Sequence, residues 1–517
     1  MIRLFNSLTQ QKETFEPRDP GKAGIYCCGP TVYNLVHIGN ARPYVTFAVL
    51  RSWLEHRGLQ TTLVTNITDV DDKIIAKAAA DGLAASQVAE KYTAAYIEDT
   101  DRLGVPRPDV EPRATDTIGE IIDLVCQLVA SDHAYPAQGS VYFRVRSFDE
   151  YGKLSKQRID ELAEGVRVDT EPGKADPLDF AVWKAAKAGE PTWDSPWGQG
   201  RPGWHIECSA MGLRYLGAGF DVHGGGRDLI FPHHENEIAQ SEAAGLPFAR
   251  VWMHNGMIRS GGEKMAKSVG NIFLLREVLD RYEAAVVLTY FLTTHYRSPL
   301  EFSTDKLDEA KAAYARLADA LADFEFRIEN AARAAHQGEW PDLTLRAESA
   351  RLLFSEQMDD DLNTAGAIGE LFALIGEARR YLADVDGGEA PLDAVALTTV
   401  CEIIRDSLAV LLIPAPPTTM AATTVGNVPG EAAAACATGE LALPPAVRMA
   451  DDGRWDDVAL VYEDRLDCGD ASYACVLRDH LRAEKDWSAA DTVRDRIQAA
   501  GFELRDTPQG TQVVRKG

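Results

Sequence analysis

The sequence predicts an α/β protein: a parallel-sheet domain with an inserted small domain, followed by a helical bundle and a small C-terminal domain. Strand-like and helix-like runs alternate from Gly24 to about Pro112, which favours a doubly wound parallel sheet. The alternation resumes at Arg201, so the segment between these regions interrupts the domain. From about Leu274 to Leu412, Ala, Leu, Glu and Arg recur at the spacing of helices.

The first third of the chain contains most of the predicted strands. The insertion is expected over about 113–190, with a small sheet of its own. In order, we expect a strand at Gly24–Cys28, a helix at Tyr44–His56, a strand at Thr61–Thr65, helices from about Val70 to Leu103, a helix at Arg113–Asp132 and two short strands in Ala134–Arg146 around Gln138-Gly139.

The rest of the chain is expected to be helical up to about residue 412 and then to change character. Leu307–Phe326 and Ala347–Phe354 show helical spacing. Pro414–Pro445 is rich in Ala, Thr, Gly and Pro, so we expect a mobile linker there. The tail predicts a helix at Leu477–Ala499 and short strands at Glu503–Leu504 and Gln512–Val514.

Composition limits the possible classes of protein. With 517 residues, of which 45% are hydrophobic, the chain can bury a large core in several domains. No apolar run approaches the ~18 residues that a membrane span needs, so no membrane partner is expected. Met1–Gln10 lacks a basic region followed by an apolar stretch, which predicts a cytoplasmic protein. The eight cysteines are irregularly spaced, which favours metal binding or burial over a disulfide framework.

The formal charge of −26 argues against a protein that coats nucleic acid indiscriminately. Residues 476–517 differ from the rest, because eight Lys or Arg face seven Asp or Glu there. A local surface that binds nucleic acid therefore remains open in this near-neutral tail.

The stretch Gly24–Leu50 runs a strand through a Gly-Pro turn into a helix, which places backbone N–H groups where phosphates dock. Cys28 and His37 lie in this junction, which indicates a site for a metal and a nucleotide. An ordinary strand and helix with a buried cysteine is the alternative.

Four side chains are candidate metal ligands. Cys28 ends a predicted strand, Cys208 follows another, and His233 and Glu237 lie four residues apart. If that segment is helical, as Pro232 at its first turn indicates, both project from one face. Two thiolates, an imidazole and a carboxylate make a tetrahedral zinc set. The alternative for His233 and Glu237 is an exposed amphipathic face.

Three neighbouring residues are weaker candidates for metal ligation. His234 and Glu235 are expected on other faces of the helix than His233 and Glu237. Strand alternation points Cys27 away from Cys28, which predicts a structural role for it.

Two glycine-containing loops are further candidates. Asp221–Asp228 contains three successive glycines, predicted as a turn that allows close approach of a ligand. Gly261–Gly270 carries Lys264 and Lys267 between glycines, and two such lysines can neutralise charge on a polyphosphate. The alternatives are an ordinary turn and a solvated lysine loop.

These segments together resemble class I aminoacyl-tRNA synthetases, and among them the cysteinyl-tRNA synthetases. The first class signature, His-Ile-Gly-His, appears as His37-Ile38-Gly39-Asn40, and the second, Lys-Met-Ser-Lys-Ser, as Lys264-Met265-Ala266-Lys267-Ser268. The resemblance covers residues 1 to about 410 and about 475–517. Segments similar to the cysteine enzyme in particular are Cys28-Gly-Pro-Thr-Val-Tyr33, Asn66-Ile-Thr-Asp-Val-Asp-Asp-Lys73, Gly203-Trp-His-Ile-Glu-Cys-Ser209 and Phe231-Pro-His-His-Glu-Asn-Glu237.

The resemblance implies an aminoacyl-tRNA ligase that selects L-cysteine through one Zn²⁺, forms cysteinyl-AMP from ATP with Mg²⁺, and transfers cysteine to the 3′ end of tRNA(Cys). A thiol and an alcohol are separated poorly by shape, by perhaps ~10²-fold, whereas zinc distinguishes them chemically. We expect a monomer. The implied residues are, for zinc, Cys28, Cys208, His233 and Glu237; for the amino-acid pocket, Thr68, Trp204 and Asp228; for catalysis, His37, Asn40, Lys264 and Lys267; and for ATP, His37, Gly39 and Lys267.

The tail is similar to the anticodon-reading domain of that family. Trp487, Asp491 and Arg494 fall on one side of the predicted helix, where an aromatic ring and polar groups can bind an unpaired base. With Arg482 they form the predicted anticodon contacts, and a Trp that anchors a small core is the alternative.

The resemblance gives the predicted domains their functions. Two other activities remain open at this point: a cysteine:amino-sugar ligase of mycothiol synthesis, which would not need the tail, and a non-catalytic tRNA-binding paralogue, which Asn40 and Ala266 would suit. The domains are a Rossmann-like catalytic domain at 1–112 and 191–260, an inserted connective domain at 113–190, a lysine-loop region at 261–310, a helical bundle at 311–413, a linker at 414–450 and an anticodon-binding domain at 451–517.

Overall fold

A computed structural model describes residues 1–159, 173–259, 273–331, 334, 336–417, 494 and 498, and the backbone alone of 260, 263–264, 502–507 and 510–515. The chain divides into two compact units. The first comprises Met1–Tyr314, Leu353–Gly369 and Leu408–Pro414, and the second Ala315–Leu352, Glu370–Ser407 and Ala415–Gly517.

The described strands and helices include those predicted between Gly24 and Arg146, in the predicted order, and two short strands that were not predicted precede them. Up to residue 301 they are β1 (Arg3–Asn6), β2 (Gln11–Thr14), β3 (Lys22–Cys27), α1 (Ile38–His56), β4 (Gln60–Thr65), α2 (Asp72–Asp81), α3 (Ala85–Leu103), α4 (Ile118–Ala130), β5 (Ala134–Ala137), β6 (Ser140–Phe143), β7 (Phe180–Ala185), β8 (Gly200–Pro202), α5 (Trp204–Leu216), β9 (Val222–Gly226), α6 (Glu235–Ala243), β10 (Val251–Asn255), β11 (Ile258–Ser260), β12 (Glu263–Lys264), α7 (Leu275–Leu279), α8 (Ala284–Leu292) and β13 (Leu300–Glu301).

The C-terminal elements are mostly helices, as predicted. They are α9 (Thr304–Glu329), α10 (Pro341–Asp359), α11 (Thr364–Asp386), α12 (Ala394–Val410), β14 (Phe502–Thr507) and β15 (Gly510–Arg515). The last two strands pair as an antiparallel hairpin, which confirms the strands predicted in the tail. The predicted linker lies outside the described residues from Thr418 onward. No described helix has both the length and the apolarity that a membrane crossing requires.

The central sheet of the first unit is parallel throughout, as predicted. Its four strands lie in the order β10-β9-β3-β4. Because ligands bind beyond the carboxyl ends of strands in such sheets, residues that follow β3, β9 and β10 are placed to form a site. Cys28 is the first residue after β3, and its N–H donates to Gly224 O at 3.0 Å.

A second, antiparallel sheet forms in the insertion, in the order β5-β6-β7-β8. Helix α4 packs on it, and Ile121, Val141, Phe143 and Trp183 are all buried in the shared core. The sheet includes β8, so it continues to Pro202 and leads directly into α5. The inserted sheet therefore determines where α5, with its Trp204 and Cys208, joins the parallel sheet.

The prediction of a turn at the three glycines is wrong, because Gly224–Gly226 belong to β9 at the centre of the parallel sheet. A β-carbon on Gly224 would lie 1.7 Å from Met253 O and 2.9 Å from Phe47 Cζ. Backbone and aromatic atoms of neighbouring elements occupy the space at this glycine, so the close approach there is internal packing.

Helix α1 begins six residues before the predicted position. Gly39 and Pro43 are poor helix formers and concealed its first turns. Asn40 supports the start of the helix, because its Oδ1 accepts the His37 N–H at 3.4 Å and its N–H donates to His37 O at 2.9 Å. Asn40 thus helps to fix the position of His37.

Asp72, in the first turn of α2, joins that helix to the inserted sheet. Its carboxylate binds the Lys184 ammonium on β7 and the Arg201 guanidinium on β8, and Arg201 Nε donates to Glu190 at 3.0 Å. Burial alone would raise the pKa of Asp72, but Lys184 and Arg201 together hold it below its usual value. A carboxyl with a depressed pKa stabilises the fold above its unfolded pKa of about 4, and the contribution is lost as the pH falls through the folded value.

We therefore expect Asp72→Asn to lower stability at neutral pH and to flatten the loss of stability on acidification below about pH 4. Circular dichroism during acid titration measures both effects. Asp81→Asn is the matched control on the same helix, since Asp81 pairs with Lys77 one turn away and not with the inserted sheet in the described structure. Identical acid-titration curves for the wild type and Asp72→Asn would contradict the stabilising role assigned to the Asp72 carboxylate.

Candidate metal centre and active site

The four predicted metal ligands converge from separate segments of the first unit. The Sγ atoms of Cys28 and Cys208 lie 3.9 Å apart. Glu237 Oε1 is 3.8 Å from Cys28 Sγ and 3.0 Å from His233 Nε2. All four side chains are buried, so the alternative of an exposed helix face for His233 and Glu237 is wrong.

Three of these side chains lie in helical segments. Cys208 lies on the second turn of α5, not directly after a strand, and Glu237 lies in the first turn of α6. His233 precedes α6 in a short helical turn at Ile230–His234. The spacing of four residues still brings His233 and Glu237 together, as the sequence predicted.

His234 also faces the cluster, contrary to the prediction that it lies on another face. Its Nε2 is 3.3 Å from Cys28 Sγ, and its Nδ1 is 2.8 Å from His254 Nε2. The prediction assumed one regular helix, but Phe231 is extended (φ −136°, ψ 132°) and α6 begins only at Glu235. The ligand atoms of Cys28, His233, His234 and Glu237 all lie within 4.8 Å of one another.

The charges of the cluster compensate one another. Burial alone would raise the pKa of Glu237, but His223 and His233 bring it down to about 2. Burial would lower the pKa of His233, yet the Glu237 charge raises it to about 10. The hydrogen bond from Cys28 lowers the pKa of Cys208, and burial raises the pKa of Cys28. Buried charge of this kind is typical of a site built for an ion or a reaction.

A second layer of histidines, which sequence reasoning missed, surrounds the cluster. His223 Nε2 lies 2.7 Å from Glu237 Oε2, and its Nδ1 lies 2.9 Å from Tyr26 O. His254 Nδ1 lies 2.8 Å from Ser7 Oγ, and His205 Nδ1 lies 2.9 Å from His233 Nδ1. For two of them a signal existed that the sequence analysis did not use, because His223 and His254 belong to β9 and β10 of the parallel sheet, whose carboxyl ends gather ligand-binding groups.

Trp204 and Thr68, predicted in the amino-acid pocket, lie beside the cluster. The Trp204 ring stacks on His233, with centroids 4.1 Å apart and planes at 28°. Thr68 Oγ1 accepts from Asn66 Nδ2 at 3.2 Å, and Asn66 Oδ1 accepts the Gly29 N–H at 2.9 Å. Thr68 is thereby tied to the residue that follows Cys28.

Asp228, the third predicted pocket residue, lies just beyond β9 in the short turn Arg227–Leu229. Its side chain is exposed, and Oδ1 would be 2.5 Å from a β-carbon on Gly226. A glycine at 226 therefore leaves room for this carboxylate.

Of the predicted catalytic residues, His37 and Asn40 lie at the start of α1, next to the segment that follows the lysine loop. The residues on both sides of His37 pair with that segment, since Ile38 N donates to Phe273 O at 3.0 Å and Leu275 N donates to Val36 O at 2.9 Å. A β-carbon on Gly39 would lie 3.0 Å from the His37 ring, so the glycine leaves room for the ring in this position. Lys264 is on β12, and Lys267 lies outside the described residues.

The predicted anticodon residues Arg482, Trp487 and Asp491 also lie outside the described residues. Arg494 is helical and half-buried. The predicted contacts of all four with nucleic acid stay predictions.

Two families match parts of the chain. The family "tRNA synthetases class I (C) catalytic domain" matches residues 14–312, which is more than half of the sequence. The family "DALR domain" matches residues 353–412.

Curated relatives match from end to end. A "Cysteine--tRNA ligase" of Carboxydothermus hydrogenoformans is 42% identical, covering 99% of this chain and 100% of the relative. A protein of the same description from Desulforamulus reducens is 43% identical over 100% of both. Among solved structures, a Mycobacterium tuberculosis methionyl-tRNA synthetase in complex with methionyl-adenylate is similar in fold, with a TM-score of 0.62, 14% identity, and coverage of 80% of this chain and 96% of that one.

Proposed function

We propose how the site works from one premise: the chain belongs to the cysteine--tRNA ligases, in the class I tRNA synthetase family. It is an aminoacyl-tRNA ligase, and ATP and tRNA are substrates of that family. The observation that carries this conclusion is identity of 42–43% over the whole chain, including the catalytic domain and the C-terminal part. The matched region extends through the C-terminal tail, which a cysteine:amino-sugar ligase would not need, so the coverage does not favour that activity. L-Cysteine and tRNA(Cys) are the proposed specific substrates.

Cys28, Cys208, His233 and Glu237 would hold one zinc ion. The donor set fits, because two thiols, an imidazole and a carboxylate meet within the protein, and zinc prefers such ligands in a tetrahedral arrangement. His234 completes the surroundings as a hydrogen-bond partner of Cys28, since its other nitrogen is engaged by His254. Bound zinc would supply a thiol-selective Lewis acid that distinguishes cysteine from serine.

The amino acid would lie against the cluster with its other groups held by this chain's own residues. Trp204 would cover it, Thr68 would orient it, and the exposed Asp228 carboxylate would attract its ammonium group. The stacking of Trp204 on His233 supports this arrangement, because it places the indole directly over a proposed ligand.

Activation would take place between the two signature segments. His37 and Gly39 would contact ATP, Asn40 would keep His37 in position, and Lys264 and Lys267 would stabilise the leaving pyrophosphate, with Mg²⁺ bound to the nucleotide. The backbone pairing of Val36 and Ile38 with Phe273 and Leu275 supports the proposal, because it holds the His37 segment beside the residues that follow the lysine loop in the chain.

The tRNA would be recognised at its anticodon by the C-terminal part. A DALR domain at 353–412 supports this contact, and Arg482, Trp487, Asp491 and Arg494 remain the proposed base-reading residues. We also infer that the protein acts as a monomer in the cytoplasm, where its products are used.

Cysteine-dependent exchange of pyrophosphate into ATP tests the function. We expect exchange with cysteine, exchange at least about 10²-fold slower with serine, and one zinc per chain by elemental analysis. Charging of tRNA(Cys) transcript then tests transfer. Absence of exchange in zinc-loaded protein would overturn the proposal and favour a non-catalytic tRNA-binding paralogue.

A further inference from the structure

Lys73 is an exposed lysine in the first turn of α2, beside the proposed amino-acid pocket. Its ammonium lies 5.6 Å from the centroid of the Tyr33 ring and 5.7 Å from that of Trp204. Both distances are within the range of cation–π attraction. Two aromatic rings therefore hold one cation at the edge of the site.

The cation has no carboxylate partner within the described part of the chain. The two acids next to it in sequence are already engaged: Asp71 accepts the backbone N–H of Lys73 at 2.9 Å, and Asp72 is bound by Lys184 and Arg201. In a protein with a net charge of −26, an exposed ammonium without a nearby acid leaves a local positive charge available to an incoming anion.

The indole of Trp204 contacts both the metal cluster and this cation. Its ring stacks on His233 at a centroid distance of 4.1 Å, and the Lys73 ammonium lies 5.7 Å from the same centroid. The cluster is buried, whereas Lys73 is exposed. A cysteine bound at the cluster would lie beside His233, and Lys73 is placed to meet an anion that arrives from solvent.

We propose that Lys73, with Tyr33 and Trp204, binds a phosphate in the single-stranded 3′ end of the tRNA. A single-stranded RNA end carries one phosphate per nucleotide, which an exposed ammonium can pair with, and in the proposed reaction it has to reach the amino acid beside Trp204. The inference rests on the proposed function, since it assigns the residues that receive the second substrate of the same site.

The test compares Lys73→Met with the wild type and with Lys77→Met. Lys77 lies one turn further along α2 and pairs with Asp81, so its substitution removes the same charge away from the rings. Affinity for transcribed tRNA(Cys) is measured by filter binding across salt concentrations, and KM for tRNA in aminoacylation is measured at 0.1 M salt.

For Lys73→Met we expect the slope of log affinity against log salt to fall by about 0.7, the value for one phosphate of a single strand. Over the tenfold range from 1 M to 0.1 M salt, this difference in slope makes the tRNA affinity of Lys73→Met about fivefold weaker than that of the wild type. The KM for tRNA should rise by a similar factor. Lys73→Arg should recover most of the loss, and Lys77→Met should retain wild-type tRNA affinity.

Unchanged tRNA affinity and salt slope in Lys73→Met would overturn the inference. So would a raised KM for cysteine in pyrophosphate exchange without a change in tRNA affinity, because Lys73 would then serve the amino acid. Failure of the wild type in pyrophosphate exchange is a separate outcome, which overturns the proposed function and this inference with it.

Discussion

Replacing Cys208 with serine is expected to remove the metal and most of the activity. The Cys208 sulfur lies 3.9 Å from that of Cys28 inside the buried cluster, and the substitution replaces a soft donor with a hydroxyl that binds zinc poorly. Loss of an outer-shell partner costs about 10- to 100-fold in metal affinity or activity, so loss of a ligand should exceed that range. We expect zinc well below one per chain and a fall of more than 100-fold in kcat/KM for cysteine.

Cys27→Ser is the matched control for this experiment. Cys27 is adjacent to Cys28 and equally buried, but it lines a small cavity with Tyr44 and Phe47 on the other side of the sheet. It should lose some stability, because a hydroxyl is buried among apolar groups, and should keep its zinc. Stoichiometric zinc with an unchanged KM for cysteine in Cys208→Ser would contradict the ligand assignment, as would equal loss of zinc in both variants.

The parallel sheet and the convergence of the cluster were predictable because their signals are local and chemically distinctive. Alternating strand and helix patterns imply parallel order, and parallel order collects the residues that follow each strand at one edge. His233 and Glu237 have side chains whose burial is costly without a partner, and with Cys28 and Cys208 they make a donor set typical of zinc, so their joint occurrence indicated a site. The inserted hairpin at Gln138-Gly139 was similarly marked by its turn residues.

The surroundings of the cluster were less predictable, because they depend on tertiary packing. His234 reaches Cys28 only because the chain is extended at Phe231, an irregularity that periodic spacing does not encode. Gly224 was predicted in a turn, although the proximity of Met253 O and Phe47 in the folded protein is what requires a glycine there. Arg42 gave no signal at all, since an arginine inside a helix is usually exposed.

Arg42 is nevertheless fully buried in α1 and joins that helix to two loops. Its Nη1 donates to Gly256 O at 2.7 Å and Ser298 O at 2.8 Å, and its Nη2 donates to His295 O at 3.2 Å. Burial lowers its pKa to about 10, so the guanidinium remains charged at neutral pH. Gly256 precedes β11, which pairs with the strand of Lys264, so Arg42 connects the helix of His37 to the start of the lysine loop.

Arg42→Met is expected to lower the free energy of unfolding by about 3 kcal/mol and to slow pyrophosphate exchange. Three carbonyls lose their donor, of which the Gly256 carbonyl is buried and the Ser298 and His295 carbonyls are half-buried. A buried group left unpaired costs about 1–3 kcal/mol, the half-buried ones less, and the relief of a buried charge offsets part of the cost. Denaturant unfolding measures the first effect, and exchange at a temperature where the variant is folded measures the second.

Arg51→Met is the control that distinguishes the effect of losing the three Arg42–carbonyl contacts from the general cost of losing an arginine in α1. Arg51 also has three acceptors, Glu55, Asp109 and Arg107 O, but it lies near the surface, where such pairs contribute about 0–1 kcal/mol. Arg42→Lys keeps the charge without the fork that reaches three carbonyls, so its loss should be intermediate. Equal destabilisation by Arg42→Met and Arg51→Met would show that the carbonyl contacts contribute little. A destabilised Arg42→Met that exchanges pyrophosphate at the wild-type rate would show that Arg42 supports the fold without positioning the lysine loop.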